Sequence, residues 1–128
     1  MTQTTEQRAA YDWFRSVVAP LRLRVVADVE GFPIALGRYG QIEWYGDGVV
    51  AIYSQTVRML AKLLAVPGVR RHQVGDRELR LLLPVEKGRD NPSLGAVARL
   101  IQARTRHVLS ESQKLVLLHG RRPFQSAP

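Results

Sequence analysis

The sequence predicts an α+β fold built as a single domain. Two short turn sequences lie between apolar, β-rich segments: Tyr45-Gly46-Asp47-Gly48 and, 29 residues later, Val74-Gly75-Asp76-Arg77. Gly and Asp tolerate the positive φ angles that two-residue hairpin loops require, so each turn predicts a β-hairpin. A helical pattern follows each hairpin. Two strand-strand-helix units of this kind form one antiparallel sheet with helices on one face and the other face open.

An N-terminal helix is predicted ahead of these units. Thr4 or Thr5 is suited to cap a helix that runs to about Val18, where Pro20 stops it. From residue 20 to residue 31 apolar and charged residues alternate, which favours a strand, although Pro20 and Gly31 also permit a helix. We favour the strand because of this periodicity.

The remaining elements follow from similar patterns. We expect residues 32–45 to be extended, with Gly37 and Gly40 as bulge or bend points, and to pair with residues 49–55. Ser54 or Thr56 caps a helix that ends at Val66. Residues 69–74 and 77–83 form the second hairpin, and a helix opens at residues 91–92. The predicted inward stripes are Val57, Leu60, Ala61 and Leu64 on the first of these helices, and Leu94, Val97, Ala98 and Ile101 on the second, which presents Arg99, Gln102 and Arg106 outward.

A last short helix is predicted from Ser110 to Gly120, capped by Ser110 with Gln113. The expected organisation is therefore an N-terminal helix over residues 1–19, a ββα-ββα core over 20–119 and a basic tail over 120–128.

Composition restricts the classes of protein. The 128 residues are 45% hydrophobic, which suffices for one core, and they include no cysteine and only three histidines. Disulfides and thiolate metal sites are excluded. No apolar run approaches the ~20 residues of a membrane span, and no signal pattern opens the chain, so we expect a cytoplasmic protein without membrane contact.

Charge is unevenly distributed. Residues 1–57 carry 5 basic and 6 acidic side chains, whereas residues 58–128 carry 14 basic and 5 acidic ones. Of the 19 basic residues in the chain, 16 are arginine, whose planar guanidinium suits phosphate and guanine. A polyanion is the expected partner, most of all nucleic acid in the form of duplex DNA.

The hairpin pattern indicates which side chains meet that partner. Residues of one parity share a face, so the second hairpin should pair Gln73 with Glu78 and Arg71 with Arg80 on one side, and His72 with Leu79 on the other. Gln41, Glu43 and Tyr45 should form the polar face of the first hairpin, with Ile42, Trp44 and Ala51 opposite. A solvated sheet face is the alternative. The predicted nucleic-acid-binding residues are Arg38, Gln41, Glu43, Tyr45, Arg70, Arg71, Gln73, Arg77 and Arg80 around the sheet, and Arg99, Arg104 and Arg106 on a basic helix.

Two carboxylates suggest catalysis as a further hypothesis. On a strand, Asp28 and Glu30 would point the same way and, near Glu43, could hold Mg²⁺ for phosphodiester hydrolysis, with Glu30 as the metal ligand. The alternative is that these carboxylates form surface ion pairs with Arg22 or Arg24. No cofactor is expected unless the protein is a nuclease that uses Mg²⁺.

The order helix, two strands, helix, two strands, helix resembles the αββαββα unit of LAGLIDADG homing endonucleases. The segments that carry the resemblance are Leu23–Gly31, which ends in Asp-Val-Glu-Gly; Leu60–Val69, a helix followed by Gly-Val and a strand; and Leu109–Leu117. The resemblance implies that Glu30 is the metal-binding acid. It also implies that residues 20–30 form a helix packed against its symmetry mate in a homodimer.

The sequence thus leaves three hypotheses open. The first is a small basic protein that binds duplex DNA through the open face of its sheet. The second is a metal-dependent, LAGLIDADG-like DNA endonuclease. The third is a protein-interaction module or inhibitor whose basic half docks an acidic partner. Tight binding to random-sequence DNA at low salt separates the first from the third, and Mg²⁺-dependent nicking separates the second from the first.

Overall fold

The computed structural model describes residues 3–106, which form one α+β domain around a single core. The six strands form one sheet in the order β1-β2-β3-β4-β6-β5, and every neighbouring pair is antiparallel. The strands are β1 Val26–Ala27, β2 Pro33–Leu36, β3 Gln41–Gly46, β4 Val49–Ser54, β5 Arg70–Val74 and β6 Leu79–Pro84. The α-helices are α1 Thr5–Val18, α2 Leu60–Leu64 and α3 Pro92–Leu100, and 3-10 turns occupy Ala19–Leu21 and Val57–Met59.

The N-terminal helix is confirmed. Thr4 accepts a hydrogen bond from the backbone N–H of Gln7 at 3.0 Å, and the Gln7 side chain accepts one from the backbone N–H of Thr4 at 2.9 Å. This capping box satisfies two backbone donors at the start of α1. Ala10, Phe14 and Val17 lie buried on one stripe, as the 3.6-residue period requires.

Residues 20–31 contain a strand, but only over the two residues of β1. The 3-10 turn that follows α1 ends at Leu21, and Arg22 after it has a left-handed φ of 56°. The preference for a strand is therefore confirmed in part. The helix that the resemblance implies for residues 20–30 is not present, so these residues supply no helix for packing against a symmetry mate.

The prediction for residues 32–45 is confirmed in part: they are extended on either side of a bend at Gly37 and Gly40, but only β3 pairs with β4. The chain reverses between β2 and β3, where the N–H of Gly37 donates to the carbonyl of Gly40 at 2.8 Å. Glycine is required at both positions by close backbone contacts. A Cβ on Gly37 would lie 2.6 Å from the carbonyl oxygen of Ile101, and a Cβ on Gly40 would lie 2.5 Å from that of Tyr53. These glycines therefore form a turn against neighbouring chain segments rather than a bulge within one strand.

The first predicted hairpin is confirmed. Asp47 and Gly48 join β3 to β4 with φ angles of 55° and 74°, the two positive values that a type I′ turn needs. A register shift between Trp44 and Gly46 leaves Tyr45 as the additional residue of a bulge in β3.

The second hairpin forms in a different register from the predicted one. Gly75 N–H donates to the carbonyl of Glu78 at 2.9 Å, so the loop consists of the next two residues rather than of Gly75 and Asp76. The turn residues 75–78 do not have positive φ angles. Moving the turn centre by one residue shifts the pairing by two, so Gln73 lies opposite Arg80 and Val74 lies opposite Leu79.

A bulge in β5 produces a further difference. The register shifts between Arg71 and Gln73, and Arg71 therefore lies opposite Leu81. The predicted cross-strand pair of Arg71 with Arg80 is wrong, because the bulge places Arg71 on the opposite face of the sheet from Arg80. His72 is exposed at this bulge, as is all of β5.

The core lies between the helices and one face of the sheet. Phe14 of α1, Leu63 of α2 and Leu94 of α3 are fully buried in one cluster with Ile42, Ile52 and Leu81 of the sheet. The stripe predicted for α2 is confirmed in part. Leu60 and Leu64 pack against the core, but Leu63 is the fully buried residue of α2, and Ala61 is exposed.

The helix that opens at Asn91 and Pro92 is confirmed, with the predicted inward stripe buried. It ends at Leu100, and Gln102 has a left-handed φ of 54°, so the predicted continuation of this helix to Arg106 is wrong. The predicted helix at 110–120 and the basic tail at 120–128 lie outside the described residues. Within residues 3–106, none of the helices has the length and apolar character needed to cross a membrane.

Candidate nucleic-acid interface

One face of the sheet, which we name the outer face, lies opposite the helices and the core. Cross-strand register assigns polar side chains of four neighbouring strands to this face. Gln41 of β3 pairs with Tyr53 of β4, Tyr53 with Arg80 of β6, and Arg80 with Gln73 of β5. Glu43 follows Gln41 at a spacing of two residues and therefore lies on the same face. The open polar face predicted from the sequence is thus present.

Hydrogen bonds and an ion pair connect the centre of the outer face. The Nη2 of Arg80 lies 3.3 Å from Oε1 of Glu43, and the Nε2 of Gln41 donates to Oε2 of the same carboxylate at 2.7 Å. The Arg80 guanidinium also lies over the ring of Tyr53, 5.7 Å from its centroid. The Tyr53 hydroxyl donates to Oε2 of Glu78 at 2.8 Å. These side chains support one another in defined positions before any ligand binds.

Arg80 keeps one donor unused in this network. Its Nε is buried and has no hydrogen-bond partner among the described residues, although an arginine ordinarily satisfies buried donors. The side chain of Arg80 as a whole is 40% exposed, so a ligand can reach it, although not at the buried Nε.

The Glu78 carboxylate raises the pKa of Tyr53 above its ordinary value of 10.0, mainly because it accepts the phenolic hydrogen bond. Partial desolvation of the phenol and the negative charge of Glu78 act in the same direction, and the nearby guanidinium of Arg80 opposes them. Tyr53 is thus a neutral hydrogen-bonding group at physiological pH.

The rings of Tyr45 and His72 are in contact. Their ring centroids are 5.5 Å apart in an edge-to-face arrangement, although β4 and β6 lie between their strands. Ala51 of β4 pairs with Glu43 and is 2% exposed, so it lies on the outer face and not opposite, as its predicted position required. A small residue at this point leaves room for longer side chains to lean over β4.

Four arginines extend the outer face beside β1 and β2. Leu23 forms an antiparallel bridge with Thr105, flanked by hydrogen bonds from Arg24 N–H to Arg104 C=O at 2.9 Å and from Arg106 N–H to Arg22 C=O at 2.7 Å. Arg104 lies beside Leu36, which pairs with Gln41 of the outer face, so Arg104 and its partner Arg24 belong to that face, while Leu23 between the arginines is buried in the core. We name this set the arginine ladder: Arg22 beside Arg106 and Arg24 beside Arg104, all exposed.

Half of the arginine ladder was missed by sequence reasoning. Arg104 and Arg106 were predicted to contact nucleic acid, but as part of a helix, whereas the structure places them in an extended segment after α3. Arg22 and Arg24 were considered only as partners for acidic residues. The available signal was the repeated pattern of arginines alternating with one other residue, Arg22-Leu23-Arg24 and Arg104-Thr105-Arg106.

The other predicted basic residues are distributed around the sheet. Arg70 lies opposite Leu82, and Leu82 pairs with Ala51, so Arg70 shares the outer face at the β5 edge. Arg77 is exposed in the second hairpin turn. Arg38 is exposed in the turn between β2 and β3, and its guanidinium lies 5.3 Å from the centroid of the Tyr39 ring.

Two of the predicted binding arginines do not join the outer face. Arg71 lies opposite the buried Leu81 and so has the inner parity, exposed at the edge strand. Arg99 belongs to α3, which packs on the core side of the sheet, and lines a depression with Leu21 and Gly95.

The predicted catalytic pair lies in the loop between β1 and β2 and not on a strand. Oδ1 of Asp28 accepts hydrogen bonds from the backbone N–H groups of Glu30 and Phe32, both at 2.9 Å. Asp28 thus closes the loop as an Asx turn does. The Glu30 side chain is exposed, and its backbone carbonyl accepts a hydrogen bond from Nε2 of Gln7 at 2.7 Å.

Asp28 and Glu30 nevertheless line an open depression on the outer face together with Glu43 and Arg80. Within the part of the chain that the structure describes, no three carboxylate or histidine side chains come close enough together to hold a metal ion. Asp28, Glu30 and Glu43 therefore line one depression, as predicted, but among residues 3–106 they do not form a shared metal-binding site.

Comparison of the chain with protein-family models, with curated proteins and with solved structures finds no match.

Proposed function

We propose that this protein binds nucleic acid, in the first place duplex DNA, through the outer face of its sheet. The observation that carries the proposal is the arrangement of charge on that face. The arginine ladder lies at one side, Arg70 lies at the other, and Arg80 lies between them among hydrogen-bonding side chains that include the Glu43 carboxylate. Arginines at the sides are suited to phosphates, and polar groups at the centre are suited to base edges.

The central side chains match the chemistry of base recognition. Arginine binds guanine through two hydrogen bonds, glutamine binds adenine in the same way, and glutamate accepts from the amino group of cytosine. Arg80, Gln41, Gln73 and Glu43 supply these three types of group on adjacent strands.

The nuclease hypothesis has less support than binding. Asp28 uses one carboxylate oxygen to hold its own loop, and Glu30 is exposed on the same loop. An acidic protein could bind to the same arginines. Binding of DNA of arbitrary sequence therefore decides between nucleic acid and an acidic protein as the partner.

A salt titration of DNA binding tests the proposal. Fluorescence anisotropy with labelled duplex DNA should show affinity falling as salt rises, with a log-log slope of roughly −4 to −6 if five or six phosphates are contacted. Single-stranded DNA and duplex RNA, measured beside it, identify the preferred form. Failure to bind any nucleic acid at low salt would leave the acidic-protein hypothesis in its place.

A matched variant controls for diffuse charge. Arg8, Arg15, Arg58 and Lys62 are exposed and lie on helical elements outside the outer face. Changing all four to Gln removes four positive charges but should leave most of the affinity for DNA. A loss as large as that caused by changes on the outer face would mean that net charge, and not this face, drives binding.

A further inference from the structure

We propose that the arginine ladder holds the sugar-phosphate backbone of one nucleic-acid strand, with each cross-strand pair of guanidinium groups binding one of two successive phosphates. This assignment rests on the proposed function and names the part of the face that anchors the ligand.

The spacing within the ladder fits this ligand. Arg24 lies beside Arg104, and Arg22 lies beside Arg106, so each pair presents two guanidinium groups from neighbouring segments. Side chains directly across an antiparallel pair are separated by about 5 Å at Cβ, which lets both reach one phosphate. Arg104 and Arg106 are two residues apart in an extended segment, about 6.8 Å, which is close to the separation of successive phosphates. Arg22, whose backbone is left-handed, lies beside Arg106. Guanidinium groups bind phosphate oxygens in bidentate fashion.

Electrostatics also favour an anion at this position. Like charges directly across a strand pair destabilise it, and the ladder contains two such pairs. Within residues 3–106, no carboxylate forms an ion pair with any of the four arginines. Asp28, the acidic residue nearest to Arg24 in sequence, is held by the amides of its own loop. A bound phosphodiester would remove this repulsion.

The position of the ladder directs the bases toward the centre of the outer face. Arg104 N–H donates to the carbonyl of Leu36 at 2.8 Å, and Leu36 pairs with Gln41 of β3. At about 4.8 Å per strand, Gln41 lies roughly 10 Å from the ladder and Tyr53 one strand further. This distance suits a nucleotide whose phosphate lies on the ladder and whose base reaches the polar centre. Leu36, 36% exposed, offers apolar surface along the way.

The experiment compares the wild-type chain with the variant R22Q/R24Q/R104Q/R106Q and with the matched helical variant R8Q/R15Q/R58Q/K62Q. We expect the ladder variant to lose about two units of salt-dependence slope and on the order of tenfold or more in affinity, because two phosphate contacts are lost. The helical variant should keep the wild-type slope. A ladder variant made of four lysines should keep the slope but bind more weakly, since it keeps charge and loses the bidentate geometry.

Folding is followed by thermal melting. If the four-fold variant does not fold, the pairwise variants R24Q/R104Q and R22Q/R106Q should each reduce the slope by about one unit. If the ladder variants bind nucleic acid with the affinity and the salt-dependence slope of the wild type, the assignment of the ladder is overturned and the proposed function stays intact.

A second ligand separates the two proposals. Inorganic tripolyphosphate is titrated into the wild type and the ladder variant by calorimetry. If the wild type binds tripolyphosphate through the ladder but binds no nucleic acid, both the proposed function and the nucleic-acid assignment of the ladder are overturned, and a free polyphosphate becomes the ligand. If the wild type binds nucleic acid and tripolyphosphate displaces it, the result supports both the proposed function and the assignment of the ladder.

Discussion

Arg80 Nη2 lies 3.3 Å from Glu43 Oε1, and this ion pair joins β6 to β3 across the strand between them, β4. The contact is possible because the side chain of Ala51, which pairs with Glu43 on β4, is small. It holds Arg80 at the centre of the outer face, where its guanidinium also covers Tyr53. The same pairing masks part of the positive charge of Arg80, so this arginine is suited to selective contacts more than to general attraction of phosphate.

Replacing Arg80 by Ala should therefore reduce sequence preference more than general binding. If Arg80 contacts guanine, affinity for a preferred site should fall by about 1–3 kcal/mol, while affinity for random DNA changes less. Thermal stability should change little, because the ion pair is partly exposed and such pairs are worth at most about 1 kcal/mol. Arg58→Ala on the helical side is the control. Equal losses on preferred and random DNA would assign Arg80 to the phosphates.

The Tyr53 hydroxyl gives a pH-dependent prediction. Its pKa is raised in the folded protein, so its contribution to stability is complete below its ordinary pKa of 10.0 and is lost as pH rises through the folded value. Phenolate absorbance should show one tyrosine that titrates late, identified by its absence in Tyr53→Phe. Glu78→Gln removes the carboxylate charge and should lower the pKa of Tyr53. A titration that is the same in wild type and Glu78→Gln would contradict the hydrogen bond between them.

Gly48 and Gly75 form a matched pair in the two hairpin turns. Gly48 has a φ of 74°, and an added Cβ would meet nothing closer than 3.7 Å, so Gly48→Ala introduces conformational strain without a clash. We expect it to lower the free energy of unfolding by about 1–2 kcal/mol. Gly75 lacks a positive φ, and its added Cβ would lie at an ordinary 3.6 Å from the Glu78 carbonyl, so Gly75→Ala should have little effect. Chemical denaturation of both variants measures the difference.

Local patterns in the sequence predicted the parts of the fold that depend on neighbouring residues. The Thr4 cap, the turn at Asp47 and Gly48 and the apolar stripe of α3 each arise within a few residues, and each is confirmed. The register of the second hairpin was wrong because Gly-Asp and Asp-Arg turns differ by one residue, and composition alone does not choose between them. Similarly, no residue pattern in β5 predicts the bulge that places Arg71 away from the outer face.

The candidate site was predicted only where it depends on strand alternation. Gln41, Glu43, Gln73 and Arg80 share a face, as parity required, because an even shift in register preserves the face. The arginine ladder depends on a bridge between Leu23 and Thr105, which lie 82 residues apart. Contacts at such separation are set by how the helices and the sheet pack, so neither segment indicates the other in isolation.

Asp28 should prove structural when its hydrogen bonds are removed. Asp28→Ala leaves the N–H groups of Glu30 and Phe32 without their acceptor and should destabilise the protein by about 1–2 kcal/mol. Asp28→Asn keeps an acceptor oxygen and should be nearly as stable as wild type. Both are compared by thermal melting and by plasmid nicking with Mg²⁺. Metal-dependent nicking in the wild type that is lost in a stably folded Asp28→Asn or Glu30→Gln variant would restore the nuclease hypothesis.

Arg22 and Gln102 are two non-glycine residues with left-handed backbone, at φ angles of 56° and 54°. Left-handed backbone costs an ordinary residue about 1 kcal/mol or more relative to glycine, so Arg22→Gly and Gln102→Gly should each stabilise the protein by about that amount. Only Arg22 belongs to the arginine ladder. Arg22→Gly should therefore gain stability and lose DNA affinity together with some salt dependence, whereas Gln102→Gly should gain stability and bind as the wild type does.

A variant that is more stable but binds more weakly cannot owe its weaker binding to partial unfolding. An Arg22→Gly variant that binds DNA with wild-type affinity and slope would remove Arg22 from the interface, and its left-handed backbone would then have only a structural origin in the chain reversal after α1.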